Sequence, residues 1–191
     1  MADADSTVVM MTVAATVDTI FGGGNKAGLD GAALVEVAAG TVRGGVYGGS
    51  NASGTVSGDI LVNITGGTIG TDDANSNDGV FGGGFGNGTS TSGNVSVTIK
   101  GSSVNVYGTV YGGSAKGSVN NDDNNKTIVT LASGTVHGDL YGGGLGDGKH
   151  AALVKGAVQV AIYGGTVDNV FGCNNAKGAP ESMVQVIVND T

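Results

Sequence analysis

Residues able to do chemistry are few and scattered in this chain. Histidine occurs at His137 and His150, cysteine at Cys173 and arginine at Arg43, each nowhere else. Acid–base hydrolysis or elimination on a polysaccharide needs carboxylates clustered in a groove, or one carboxylate beside a base. The acids Asp18, Asp30, Glu36, Asp59, Asp139, Asp147 and Asp168 are spread along the chain, and no Asp-x-x-Asp pair falls on a regular segment. The two histidines differ by 13 positions, so a zinc pair would need an accident of winding, and two solvated side chains are the preferred reading. Two acidic, Asn-rich stretches, Thr71–Asp78 and Asn120–Asn125, offer the oxygen ligands that Ca2+ prefers. Polar insertions of this kind are also what surface loops look like, and that is the reading adopted. No residue is therefore assigned as catalytic, cofactor-binding or metal-ligating. Cys173 excludes an intrachain disulfide and is expected to be a small buried thiol.

These residues sit within a repeat. An aromatic residue followed by glycine recurs at Phe21, Tyr47, Phe81, Tyr111, Tyr141 and Phe171, with spacings of 26, 34, 30, 30 and 30. Between the copies lies an apolar-x-apolar-x-apolar segment: Val9–Val13, Ala33–Val37, Ile60–Ile64, Val95–Ile99, Thr127–Leu131, Val158–Ile162 and Val184–Val188. Side chains alternate faces along a strand, so positions one, three and five point one way. The third column reads Met11, Val35, Val62, Val97, Val129, Val160, Val186, and the fifth Val13, Val37, Ile64, Ile99, Leu131, Ile162, Val188. The residues between, such as Glu36, Asn63, Thr98 and Thr130, are mostly polar or small, which makes one face interior and the other wet.

A glycine-bearing corner follows each long strand, then a short strand such as Thr41–Tyr47 or Thr135–Tyr141, a Gly-rich turn and a variable segment. One such unit cannot cover its own apolar face; stacked units bury the columns against each other. The fold expected is all-β: a parallel β-solenoid, a right-handed β-helix of about six to seven coils of roughly 30 residues, three-sided, over a rod of ~30 Å. Residues 1–191 are expected to form one repeat domain, with 1–6 a lead that is either disordered or an expression artefact. A propeller blade needs four strands in ~40–45 residues, more than a 30-residue unit supplies. A nonapeptide calcium roll fails because Asp147 in Gly143–Asp147 falls one position early and no nine-residue period follows. Thr16, Thr41, Thr68, Thr135 and Thr166 form a column after the corner. Val or Ile, not a second Thr, follows each, which suits a strand better than an ice-ordering face. The aromatic column is expected to be a structural ladder rather than an exposed sugar-stacking strip.

Glycine makes up 39 of 191 residues, about three times the usual share of roughly 7%. With one proline and no three-residue period, collagen is excluded. Eight basic against sixteen acidic residues, a net charge of −8, leave no basic footprint for nucleic acid or anionic membrane, and no apolar run reaches the ~20 residues of a membrane helix. The start Met1–Asp5 is acidic, unlike a signal peptide, and the chain is expected to be a piece of a longer secreted protein; a small cytosolic protein is the alternative.

The pattern Gly40-Thr41-Val42 through Val46-Tyr47-Gly48-Gly49 resembles the glycine-rich repeats of adhesin-like surface proteins of gut bacteria, which have a right-handed parallel β-helix of pectate-lyase-like architecture. The resemblance spans about Thr7 to Val188. It implies a secreted or cell-surface location and a non-catalytic structural or adhesive module with a surface glycan or protein as partner. The alternative is a carbohydrate-binding or polysaccharide-degrading β-helix with a loop-built site. Bare apolar strands at both termini add an expectation of end-to-end self-association.

Overall fold

A computed structural model describes residues 5–71 and 78–189. The chain is a parallel β-solenoid of about six turns, and every strand pairing within it is parallel. Among the described residues there is no helix long and apolar enough to cross a membrane.

A long sheet carries the strands Thr7–Met11, Ala33–Val37, Ile60–Ile64, Val95–Ile99, Lys126–Leu131, Ala157–Ile162 and Val184–Val188. A corner sheet follows with Thr16–Val17, Thr41–Val42, Thr68–Ile69, Asn105–Val106, Thr135–Val136 and Thr166–Val167. A ladder sheet holds Ile20–Phe21, Gly45–Tyr47, Gly79–Phe81, Thr109–Tyr111, Leu140–Tyr141 and Val170–Phe171. A fourth sheet is built by Asn51–Val56, Phe85–Thr91, Ser118–Val119 and Leu153–Val154. The cross-section is thus four-sided in the middle coils, not three-sided. The expected single short strand breaks at Arg43-Gly44 into two, and the variable segment, expected to be irregular, supplies the fourth side.

The inward columns form the main core. Val35, Val62, Val97, Val129 and Val160, and Val37, Ile64, Ile99 and Leu131, are wholly buried and in register. Burying each such side chain contributes about 1.5–3 kcal/mol. The first strand needs a correction. Thr7–Met11 pairs with Ala33–Val37, so Val9 stands in the third column and Met11 in the fifth, while Val13 is 65% exposed. A slip of two residues keeps every side chain on its own face, so alternation alone cannot detect it.

Two polar devices hold the corners. Gly40, Gly67, Gly134 and Gly165 take φ of +85°, +85°, +98° and +88°, letting the chain leave the long sheet within two residues. In the fifth coil Thr127 replaces an inward valine. Buried Asn120 satisfies it: its Oδ1 accepts from Thr127 N at 2.9 Å and from Thr127 Oγ1, and its Nδ2 donates to Gly93 O at 2.9 Å. Of the lead 1–6, Asp5 and Ser6 are described, and Ser6 Oγ accepts from Ala32 N at 3.3 Å.

Candidate functional site

The aromatic column is a continuous stack. Phe21, Tyr47, Phe81, Tyr111, Tyr141 and Phe171 follow one another at centroid distances of 5.0, 4.8, 4.7, 5.2 and 4.6 Å, with planes within 11–13° of parallel. Adjacent strand residues face opposite ways. Val46, Val80, Val110 and Leu140 therefore point into the main core and the rings point out of it, yet Tyr47, Phe81, Tyr111 and Tyr141 are buried too. What covers them is the residue four places further on. Asn25, Asn51, Phe85, Ala115, Leu145 and Asn175 form a parallel-bridged column beside the ladder, and Phe85, Ala115 and Leu145 pack on the rings. The ladder is a second, smaller core outside the first. A buried structural ladder was the reading preferred from sequence; the covering column had no counterpart there.

The glycine after each ring explains the tight stacking. A Cβ at Gly22, Gly48, Gly82, Gly112 or Gly142 would lie 2.2–2.4 Å from the carbonyl oxygen of the equivalent glycine one coil on. The next glycine is also overlain: a Cβ at Gly49 or Gly113 would come within 2.8 Å of a backbone nitrogen of the following coil. Cys173 takes this second position in the last turn, and it is exposed. The expectation of a buried thiol is thus wrong, because among the described residues no coil lies over it.

Burial sets the tyrosines' ionisation. The Tyr47 hydroxyl is pushed well above its ordinary value by desolvation and, second, by the charge of Asp78. Tyr111 is pushed up by burial, opposed by hydrogen bonds with Asn175 and Thr109; Asn175 Nδ2 donates to Tyr111 Oη at 3.0 Å. Tyr141 is pushed up to about 12 by burial and then by Asp139, whose Oδ2 accepts from its hydroxyl at 3.2 Å.

A pocket opens beside the ladder near the first coils. It has a volume of about 340 Å3 and is lined by Thr19, Phe21, Gly44, Gly45, Tyr47, Asn51, Asp78 and Phe85. Its origin lies in two columns. Two places before each ring stand Thr19, Gly45, Gly79, Thr109, Asp139 and Asn169, and at Gly45 no side chain projects beside the ring of its own coil. In the covering column the first two places are Asn25 and Asn51 rather than apolar residues. Phe85 closes the pocket from the next coil, its ring 5.4 Å from Tyr47 at 68°. Asn51 Nδ2 donates to Asn25 Oδ1 at 3.1 Å, which turns Asn51 Oδ1 away from that bond. Asp78 is only 9% exposed.

The other chemistry-bearing residues stay apart. His137 stacks on Tyr107 at 4.5 Å, with Nε2 3.4 Å from Asn105 Oδ1, while His150 closes a turn on Asp147. Asp147 Oδ1 accepts from Lys149 N and His150 N at 2.8 and 2.7 Å, and Lys116 Nζ stands 3.2 Å from Oδ2. The backbone donors of His150 and Lys149 hold its carboxyl well below the usual range, which makes it a weak base. Of the first acidic loop, residues 72–77 lie outside the described residues. In the second, Asp122 Oδ1 accepts from Asn124 N and Nδ2 at 2.9 and 2.8 Å, and Asn125 Nδ2 donates to Ser92 O. The loop's polar atoms thus tie its own turn and the preceding coil. Among the described residues no three His, Cys, Asp or Glu side chains gather in a metal-binding group.

Comparison with family models, with curated proteins and with solved structures gives no match. The fold class, a parallel β-solenoid, stands on the geometry.

Proposed function

We propose that the chain is a non-catalytic rod segment of a secreted or cell-surface bacterial protein, which spans distance and presents its variable side to a glycan or protein. One observation carries this reading: exposed polar side chains are bonded from coil to coil. Arg43 pairs with Asp18 at 2.9 Å, Asn94 Nδ2 donates to Asp59 Oδ1 at 3.1 Å, Thr55 bonds Ser90 at 2.7 Å and Asn169 Nδ2 donates to Asp139 Oδ1 at 2.8 Å. Asn94 Oδ1 also accepts from Lys126 N at 3.0 Å, so one chain of bonds crosses three coils. Groups engaged in this way reinforce a stack. The repeat resemblance points the same way.

The experiment is a turnover assay of the purified chain on a panel of neutral and acidic polysaccharides, reading reducing ends and unsaturated uronates, beside small-angle scattering of the same sample. A rod-shaped particle without turnover is expected. Saturable turnover lost on Asp78→Asn or Asp139→Asn would overturn the spacer in favour of the carbohydrate-active alternative, for which the pocket beside Asp78 is the observation in favour.

A further inference from the structure

The pocket beside Phe21 has a lining that selects among ligands. It lies at the lower bound of the roughly 300–1,000 Å3 of small-molecule sites, enough for one ring rather than a chain. Its walls mix aromatic carbon from Phe21, Tyr47 and Phe85 with the oxygens of Thr19, Asn51 and Asp78. Gly44 and Gly45 carry no Cβ, which lets Asp18 O and Thr19 Oγ1 close on the first and the Tyr47 ring on the second. A Cβ at Gly45 would meet the Tyr47 ring at 2.7 Å, so the ring's place in the pocket wall depends on this glycine.

Charge narrows the choice. Among the described residues no lysine or arginine lines the pocket, while a carboxylate does, which disfavours anions. Cations are poorly served as well. Rings stacked within 4.6–5.2 Å cover one another's faces, so a cation finds little open ring face along the file. Over Phe85 a cation already stands, Lys116 Nζ at 5.9 Å from the ring centre. What remains is a neutral, hydroxyl-bearing ring that sits between the aromatic carbon and the polar oxygens of the wall. Hydroxyls donate to carboxylate and amide oxygens, and a carboxylate has about four lone-pair sites, so Asp78 can take a ligand hydroxyl in addition to a protein donor. Asn51 Oδ1 and Thr19 Oγ1 complete the polar rim.

We infer that the pocket formed by Phe21, Tyr47, Asn51, Asp78 and Phe85 is a binding site for a single neutral pyranose residue. The site goes beyond the spacer function and does not depend on it, since a rod can stand with this pocket empty.

The test uses the full chain and saturation-transfer and chemical-shift nuclear magnetic resonance with methyl glycosides of glucose, galactose, mannose, fucose and N-acetylglucosamine. Glucuronate and tetramethylammonium serve as charged probes. At least one neutral glycoside is expected to bind and to shift the Phe21 and Phe85 ring signals. Thr19→Trp, at an exposed rim position, should abolish the effect while leaving the melting temperature unchanged, and Asp78→Asn should weaken binding roughly tenfold or more. If Asp78→Asn melts early, Thr19→Trp alone decides. Silence from every neutral glycoside, equal binding by Thr19→Trp, or stronger binding of tetramethylammonium or glucuronate would each overturn the inference.

Discussion

A single methyl group measures how closely the coils approach. At Gly82 a Cβ would stand 2.2 Å from Gly112 O and 2.4 Å from Val95 Cγ1, atoms of a neighbouring coil and of the main core that cannot withdraw. Gly82→Ala should therefore lower the free energy of unfolding by about 3 kcal/mol in urea titrations. Gly148, with nothing within 4 Å, is the internal control. There alanine should be neutral or stabilising by up to about 1 kcal/mol, through the unfolded chain. Equal effects would mean that the coils are not stacked at this spacing. The same contrast holds between faces. Val97→Asp buries a carboxylate without a partner and should cost at least about 3 kcal/mol, whereas Ser96→Asp, one place along and facing outward, should stay within about 0.5 kcal/mol. Similar losses in the two variants would mean that inside and outside are exchanged.

At the scale of elements, the ladder makes stability depend on alkaline pH. Tyr47, Tyr111 and Tyr141 hold their protons more tightly when folded than when unfolded, Tyr141 up to about 12 against a reference near 10. The unfolded chain ionises first. Their contribution is fully present below pH ~10 and is lost as pH rises through the folded values. Urea midpoints should fall between pH ~10 and ~12, and Tyr141→Phe should flatten the decline; a midpoint constant across that window would contradict the buried ladder. The long sheet and the ladder are legible in the sequence because valine columns and an aromatic-glycine period survive changes in coil length. The fourth sheet is not. Its strand Asn51–Val56 reads Asn-Ala-Ser-Gly-Thr-Val, polar and glycine-bearing, and pairs because its neighbours bring it into line, not because it alternates. The pocket is hidden for a similar reason. Asp78 and Phe85 reach Tyr47 from the next coil, and only the paired glycines at Gly44-Gly45, where later coils carry Thr109 or Asp139, mark it in the chain.

At the scale of the molecule, the sides have unequal numbers of strands among the described residues. The long sheet has seven while the corner and ladder sheets have six, so Val184–Val188 overhangs the last complete coil. Its inward residues Val186 and Val188 are 45% and 74% exposed, and Phe171 at the end of the ladder is 43% exposed. An apolar strand with an open edge is the profile that pairs with another chain. The purified chain should self-associate with rising concentration in light scattering, and Val186→Lys or Val9→Lys should suppress it. A strictly monomeric chain at millimolar concentration, indifferent to both substitutions, would contradict an adhesive end.

The stacked rings also make the molecule an optical instrument. With no tryptophan in the chain, tyrosine and phenylalanine alone absorb and emit in the near ultraviolet, and six of these nine chromophores stand face to face in one file. Transition dipoles so close and so nearly parallel couple, and excitation can pass along the file from coil to coil. Near-ultraviolet circular dichroism and tyrosine emission anisotropy then report the number of coils in contact, without any label. Loosening at one end shortens the coupled file by one ring, and a break at Phe81 or Tyr111 divides it into two.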